Sequence, residues 1–150
     1  KHSSCGVIVP GVDTIAVSLA NCCRPIPGDS IIGYISKGQG VKVHRADCPN
    51  IVNEKKRLIP VQWEEDLDEK QYEVNLIIHS DDRNYLLSDI VTTLQQCNVY
   101  LKHVDSAVDD GNLEATTKLT VSVKNAAHLQ NLISNLKKVR SVNEVIRTIQ

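Results

Sequence analysis

Residues 22–50 read CCRPIPGDSIIGYISKGQGVKVHRADCPN, a run that places two adjacent thiols, a proline-glycine turn, a glycine-punctuated hairpin and an HRADC segment in close succession. Cys22 and Cys23 stand 22 and 26 positions before His44 and Cys48 respectively when counted from Cys22. A chain folding back once through the hairpin therefore brings three sulfurs and an imidazole together, which is a tetrahedral zinc inventory. His44-x3-Cys48 is ordinary ligand spacing. The vicinal pair is not: neighbours on a strand point to opposite faces, so both thiols reach one ion only if the backbone turns at Arg24-Pro25. Two arrangements satisfy the pattern, a structural zinc held by all four side chains and a cluster of half-buried thiols with His44 bonded to backbone. A nucleophilic Cys48 activated by His44 would need a positioned third group and an oxyanion site, and no residue pattern supplies them.

Working outward, Gly6–Val9 is a β-branched run closed by Pro10-Gly11, a strand and a turn. Val12, Ile15, Val17 and Leu19 have mixed period and predict a short strand or one turn of helix. Ile31–Ile35 and Val41–His44 predict a hairpin around Ser36–Gly40. Ile51–Ile59 carries Glu54, Lys55, Lys56 and Arg57 on a short amphipathic stretch, and Leu58–Trp63, LIPVQW, reads as a strand. A small β-rich cysteine-containing domain with one helix is expected over 1–63. Its apolar side chains are few, which is the setting in which a metal staple contributes most. Residues 64–71, beginning EEDLDEK, form an acidic linker.

Residues 72–150 follow a regular order. Tyr72, Val74, Leu76 and Ile78 alternate as a strand, and Leu86, Leu87, Ile90, Val91 and Leu94 form a helical stripe. Val99–Val108 is a second strand and Asp110-Gly111 a hairpin turn. In the third strand Leu113, Ala115, Thr117, Leu119, Val121 and Val123 share the inner face. Asn125 caps a second helix with Leu129, Leu132, Ile133 and Leu136 at helical spacing, and Val142–Ile149 closes the series. The fold class is α+β, the second domain a ferredoxin-like βαββαβ unit. RNA-recognition motifs share this order but stack bases on strand aromatics; here the outer face of the third strand is Glu114, Thr116, Lys118, Thr120 and Ser122.

The 150 residues carry a net charge of −1, unevenly placed. Residues 1–60 hold eight Lys/Arg against four Asp/Glu, and residues 61–150 nine against fourteen. A polyanion such as RNA would face the first module, with Arg24, Lys37, Lys42 and Arg45 as its candidate contacts, the alternative being a solvated surface. No apolar run approaches the length of a membrane helix and the first residues lack a signal-peptide core, so a cytoplasmic chain is expected. Five cysteines clustered with a histidine point to reduced thiols or metal over a disulfide framework. The absence of methionine, even at position 1, is the expected mark of a segment from a longer protein.

Over Cys22–Asn50 the chain resembles, almost residue for residue, the cysteine-rich motif of the long RelA/SpoT enzymes, CC-x-P-x-PGD-x-I-x-GY followed by G-x-G-x-x-VHR-x-DCPN. DDRNYLLSDI, residues 81–90, resembles the ACT signature of the same family, D-R-x-G-L-L-x-D-I, through Asp82, Arg83, Leu86, Leu87, Asp89 and Ile90, with Tyr85 where the family has glycine. The resemblance implies a zinc-finger-like, ribosome-intersubunit domain followed by an ACT domain, together the non-catalytic C-terminal regulatory segment of a (p)ppGpp synthetase/hydrolase. It implies as partners the ribosome with uncharged tRNA in the A site, the upstream catalytic domains of the same chain, a branched-chain amino acid at the effector loop Asp82, Arg83, Asn84, Tyr85, Leu86 and Leu87, and a second copy through the ACT domain. A free-standing amino-acid sensor is the alternative. At the helix start Tyr85 is expected to bury its ring against Leu86 and fill the space glycine leaves for a ligand, with Asp82 or Asn84 capping the free amides.

Overall fold

A computed structural model of the chain describes residues 5–12, 14–38, 40–67 and 70–149. It divides into two compact units, the first ending at Lys70 and the second running Gln71–Thr148, with Ile149 counted in the first.

In the first unit β1 (Val7–Ile8) pairs antiparallel with β6 (Gln62–Trp63), Val7 opposite Trp63. A four-stranded sheet has the order β2 (Val17–Leu19), β4 (Gly40–Arg45), β3 (Ile31–Ser36), β5 (Leu58–Ile59), with β2 parallel to β4 and the other pairs antiparallel. Its two faces follow from the period of two along a strand. Val41 and Val43 point into one cluster with Val7 and Val9, against which Val17, Leu19, Ile31, Ile59, Val61 and Trp63 pack. Ile32, Tyr34 and His44 take the opposite face, Ile32 directly across from His44. There Ile32 and Tyr34 pack on a second cluster of Ala20, Cys23, Cys48 and Ile51. Gly33 sits where a Cβ would lie 2.8 Å from the side chains of Ile59, Val41 and Val61, so the sheet closes on its first core only because that position has no side chain.

Two expectations for this unit fail. No helix occurs among its described residues: after Cys48 the chain makes successive turns through Ile51 and Glu54, and with Ile51 alone buried from Ile51 to Arg57 there is no apolar stripe to hold a helix on the core. LIPVQW is not one strand. Pro60, with no N–H to donate, separates β5, which joins β3, from β6, which joins β1. The mixed-period segment before the cysteines, expected as a short strand or one turn of helix, is a strand, β2.

The second unit is β7 (Tyr72–Asp81), α1 (Leu86–Gln96), β8 (Tyr100–Asp109), β9 (Glu114–Val123), α2 (Ala126–Lys137) and β10 (Val142–Arg147), in a sheet ordered β10-β7-β9-β8, all antiparallel. This is the expected ferredoxin-like arrangement. Tyr72, Val74, Leu76, Ile78 and Ser80 of β7 and Ala115, Thr117, Leu119, Val121 and Val123 of β9 are buried as their alternation requires. Leu86, Ile90, Thr93 and Leu94 are the buried face of α1 and Leu129, Leu132 and Leu136 that of α2. Leu87 and Val91, expected in the stripe, are exposed, because they lie about 100° around the helix from Leu86 and Ile90. Leu113 is also exposed: the β8–β9 turn is longer than two residues, with the Leu113 amide donating to the Asp109 carbonyl (2.7 Å) and Leu113 itself at φ 55°. No helix among the described residues is long and apolar enough to cross a membrane.

Candidate metal centre

The turns around the sheet bring the cysteines to His44. The Arg24 amide donates to the Ala20 carbonyl (3.1 Å) and Arg24 takes φ 45°, so Cys22 and Cys23 lie on a tight turn, where consecutive side chains diverge by less than they would on a strand. That turn is the condition the vicinal pair required. Just beyond it, the Asp29 amide donates to the Ile26 carbonyl (3.0 Å) across Pro27 and Gly28, Gly28 has φ 102°, and the Asp29 carboxylate accepts from the Ile26 amide (2.8 Å). The PGD triplet is thus a self-capped turn leading into β3. At the other end the Cys48 amide donates to the Arg45 carbonyl (3.0 Å), returning Cys48 beneath His44.

Four donor atoms result, all within 4.8 Å of one another. Cys22 Sγ lies 3.5 Å from His44 Nδ1 and 3.7 Å from Cys48 Sγ, and Cys23 Sγ lies 3.9 Å from His44 Nδ1. A tetrahedral ion with sulfur at about 2.3 Å and nitrogen at about 2.0 Å separates two sulfurs by about 3.8 Å and a sulfur and nitrogen by about 3.5 Å. The Cys22–His44 and Cys22–Cys48 distances match those edges and the Cys23–His44 distance is about 0.4 Å longer than its edge, so small side-chain shifts would close the four donors on an ion. Cys23 and Cys48 are fully buried and Cys22 and His44 half-buried.

The local electrostatics ask for a cation. Burial pushes the Cys23 thiol up to about 12, the Arg45 amide at 3.3 Å opposing and the neighbouring Cys22 and Cys48 sulfurs reinforcing it. Burial also works against a Cys22 thiolate, but hydrogen bonds from Asn50, Cys48 and Cys23 prevail and its pKa falls below the ordinary thiol value. His44 is held below its ordinary value by burial and then by Lys42. A neutral imidazole is the ligand form of histidine, and the raised Cys23 thiol would be favoured as a thiolate by a positive ion beside it. Asn50 and the Arg45 amide are supports that spacing did not reveal, the first from the end of the DCPN run and the second from the backbone.

The expected RNA contacts are placed differently from one another. Lys37 is exposed at the β3–β4 hairpin. Lys42 is half-buried on the His44 face, and Arg24 is half-buried in the cysteine turn. Arg45 has a side chain only 15% exposed, and its guanidinium bonds the Asp47 carboxylate at 3.0 Å. Lys55, Lys56 and Arg57 are more exposed than these last three.

At the effector loop of the second unit Tyr85 is the N-cap of α1, at φ 65° and ψ 14°, and makes no side-chain cap bond. Its ring is 78% exposed. Both expectations there are corrected: the ring does not fill the helix start, and neither Asp82 nor Asn84 caps it. The left-handed backbone aims the side chain outward, and it accounts for glycine in the family signature, since glycine alone takes that conformation without cost. Asp82 donates its amide to the Leu113 carbonyl (2.8 Å). Arg83 is spent internally: Nε and Nη2 donate to the Arg140 carbonyl (3.2 and 2.9 Å), Nη1 to the Asn84 carbonyl (2.9 Å) and Nη2 to the Asp89 carboxylate (2.8 Å). Leu86 is buried and Leu87 exposed.

Residues 7–64 match the RelA/SpoT RIS domain family and residues 68–147 the ACT domain family. The chain belongs to the ACT domain family. Its RIS domain precedes the ACT domain, and the pair resembles GTP pyrophosphokinases along nearly the whole length. The chain is 35% identical over 151 aligned residues to a GTP pyrophosphokinase of Haemophilus influenzae, covering 98% of this chain and 20% of that protein. It is 33% identical over 145 residues to a bifunctional (p)ppGpp synthase/hydrolase RelA of Mycobacterium tuberculosis, covering 95% of this chain and 19% of that protein. The chain thus spans about a fifth of the length of the curated relatives it matches. The ACT domain is also similar to the crystal structure of the ACT domain from GTP pyrophosphokinase of Chlorobium tepidum, at 23% identity and TM-score 0.47, over 52% of this chain and 99% of that one.

Proposed function

We propose that this chain is the non-catalytic regulatory segment of a cytoplasmic (p)ppGpp synthetase/hydrolase, coupling ribosome sensing to catalytic domains elsewhere in the same polypeptide. The observation that carries this reading is the succession of a RIS and an ACT domain inside a match to GTP pyrophosphokinases that covers 98% of the chain. A regulatory segment acts by preferring one state of the enzyme, so its partners must bind the two states differently.

In the RIS domain Cys22, Cys23, His44 and Cys48 hold a zinc ion. With four protein ligands and no open position, zinc there supplies cross-linking and not chemistry. Lys37 and Lys42 face RNA phosphates of the ribosome when uncharged tRNA occupies the A site, while Arg24 and Arg45 hold the fold around the metal. In the ACT domain an amino acid such as a branched-chain one would approach α1 at Tyr85, and two copies associate through residues 71–148, where β8 offers an unpaired edge and Leu87 and Val91 an exposed apolar flank.

The test is a full-length enzyme carrying this segment, compared with one lacking residues 7–64. Basal alarmone synthesis should persist in both, and stimulation by ribosomes bearing uncharged tRNA should be lost in the second. Stimulation that survives the deletion would refute the coupling.

A further inference from the structure

We propose that Cys22 and Cys48 form a reversible disulfide under peroxide, so that the metal centre is also a redox switch. The inference rests on the metal-site reading for its second half alone. Cys22 and Cys48 come from turns 26 positions apart, and their sulfurs stand 3.7 Å from each other. A disulfide needs about 2.05 Å, a closure small enough for side-chain rotation. Cys22 is the half-buried member and Cys48 is fully buried, which gives each a role: the first meets the oxidant and the second resolves it.

Geometry disfavours a link between Cys22 and Cys23. Adjacent Cα atoms lie about 3.8 Å apart across a trans peptide, less than the roughly 4.4 Å that disulfides usually span, so such a link is strained. Cys23 is also buried, and its sulfur accepts the Arg45 amide at 3.3 Å. Cys5 and Cys97 belong to other parts of the fold, Cys5 beside the Val17 carbonyl and Cys97 at the end of α1.

The chemistry balances with hydrogen peroxide as oxidant. Its O–O bond breaks as one oxygen bonds to Cys22 sulfur, and water leaves. Cys48 sulfur then attacks Cys22 sulfur, the S–S bond forms, the S–O bond breaks, and the departing hydroxide takes up the thiol proton as a second water. Two thiols and one peroxide become one disulfide and two waters, and a dithiol reductant reverses the change by thiol exchange.

Closure removes two of four donors and leaves Cys23 and His44, too few for a stable structural zinc. The new bond ties together the same two turns that the ion ties, so the RIS domain exchanges one cross-link for another and stays folded.

The experiment uses the whole 150-residue chain. Its zinc content is measured as purified, hydrogen peroxide is added, released zinc is followed with a chromophoric chelator, and disulfides are mapped by peptide mass spectrometry without reduction. The expected result is one zinc released for each Cys22–Cys48 cross-link, Cys23 remaining free, and restoration of the thiols by dithiothreitol with zinc rebinding. Cys5→Ser and Cys97→Ser should leave this unchanged and Cys22→Ser should abolish the cross-link. Because Cys22→Ser could unfold the domain, the wild-type peptide map decides: a link through Cys23, Cys5 or Cys97, or over-oxidation of Cys22 without a link, overturns the proposal. A Cys22–Cys48 link in chain that carries no metal upholds the redox pair while defeating the zinc reading, so the two failures are told apart.

Discussion

Tyr85 and Gly40 show how single backbone positions carry specific costs. Tyr85 holds φ 65° with its ring in solvent, so the ring contributes little packing while the left-handed conformation costs roughly 1–2 kcal/mol. Tyr85→Ala keeps that strain and Tyr85→Gly relieves it, at the expense of a more flexible unfolded chain. The glycine variant should therefore be about 1 kcal/mol more stable than the alanine variant by denaturant titration; equal stability would contradict the strain. Gly40, at φ +79°, would place a Cβ 2.3 Å from the Ala16 carbonyl oxygen, against which β4 closes, whereas Gly38, at φ +70°, has open space around it. Gly38→Ala should cost about 1 kcal/mol, the conformational term alone, and Gly40→Ala more than about 2 kcal/mol because backbone must also move. Comparable losses at the two sites would show that the contact is relieved cheaply.

The elements of the ACT domain were readable wherever one face is apolar and the other polar, as in β7 and β9, because a slip of one residue would turn every inner side chain outward. They were misread where a local constraint interrupts the pattern: Pro60 inside LIPVQW, and the positive φ at Leu113 that lengthens a turn expected at Asp110-Gly111. The ties between elements have no periodic signature at all. His128 accepts the Lys124 amide at Nδ1 (3.1 Å), which puts its proton on Nε2 facing the Cys97 carbonyl (2.8 Å), and so links the end of α1 to the start of α2. The cap was readable: Asn125 accepts the His128 amide at 2.8 Å, and Asn125→Ala should cost about 1 kcal/mol in thermal unfolding of the ACT domain, an unchanged melting point counting against it. Arg83 joins the β7–α1 loop to the α2–β10 loop through the Arg140 carbonyl. Arg83→Lys keeps the charge but not the fork, so amide exchange should quicken at 82–90 and 139–142 and stay slow at 74–78. Uniform quickening would mean that Arg83 supports the whole domain instead of one end.

The candidate metal centre was legible as an inventory and not as a geometry, because four ligand residues at plausible spacing do not reveal the turn from Ala20 to Arg24 that lets adjacent thiols converge. Nor does charge reveal burial: Arg45 reads as a phosphate contact and is a half-hidden partner of Asp47. The two units differ in how much else holds them. Among the described residues the buried apolar side chains of the RIS domain are Val7, Val9, Ala20, Ile26, Val41, Val43 and Ile51 with two cysteines, and none is a leucine or an aromatic; the ACT domain buries Leu76, Leu86, Leu94, Leu119, Leu129, Leu132 and Leu136 among others. At about 25 cal/mol per Å² of apolar area, the first core leaves a small unit marginal, and an ion that binds only the folded form adds its binding free energy to stability. Chelation should therefore unfold or loosen residues 5–67 while residues 71–148 keep their melting transition, read by calorimetry together with amide exchange. A melting profile that does not change on chelation, in a chain shown to have carried zinc beforehand, would mean that the two apolar clusters suffice and that the ion is a passenger; loss of both transitions together would mean that the ACT domain does not fold on its own core.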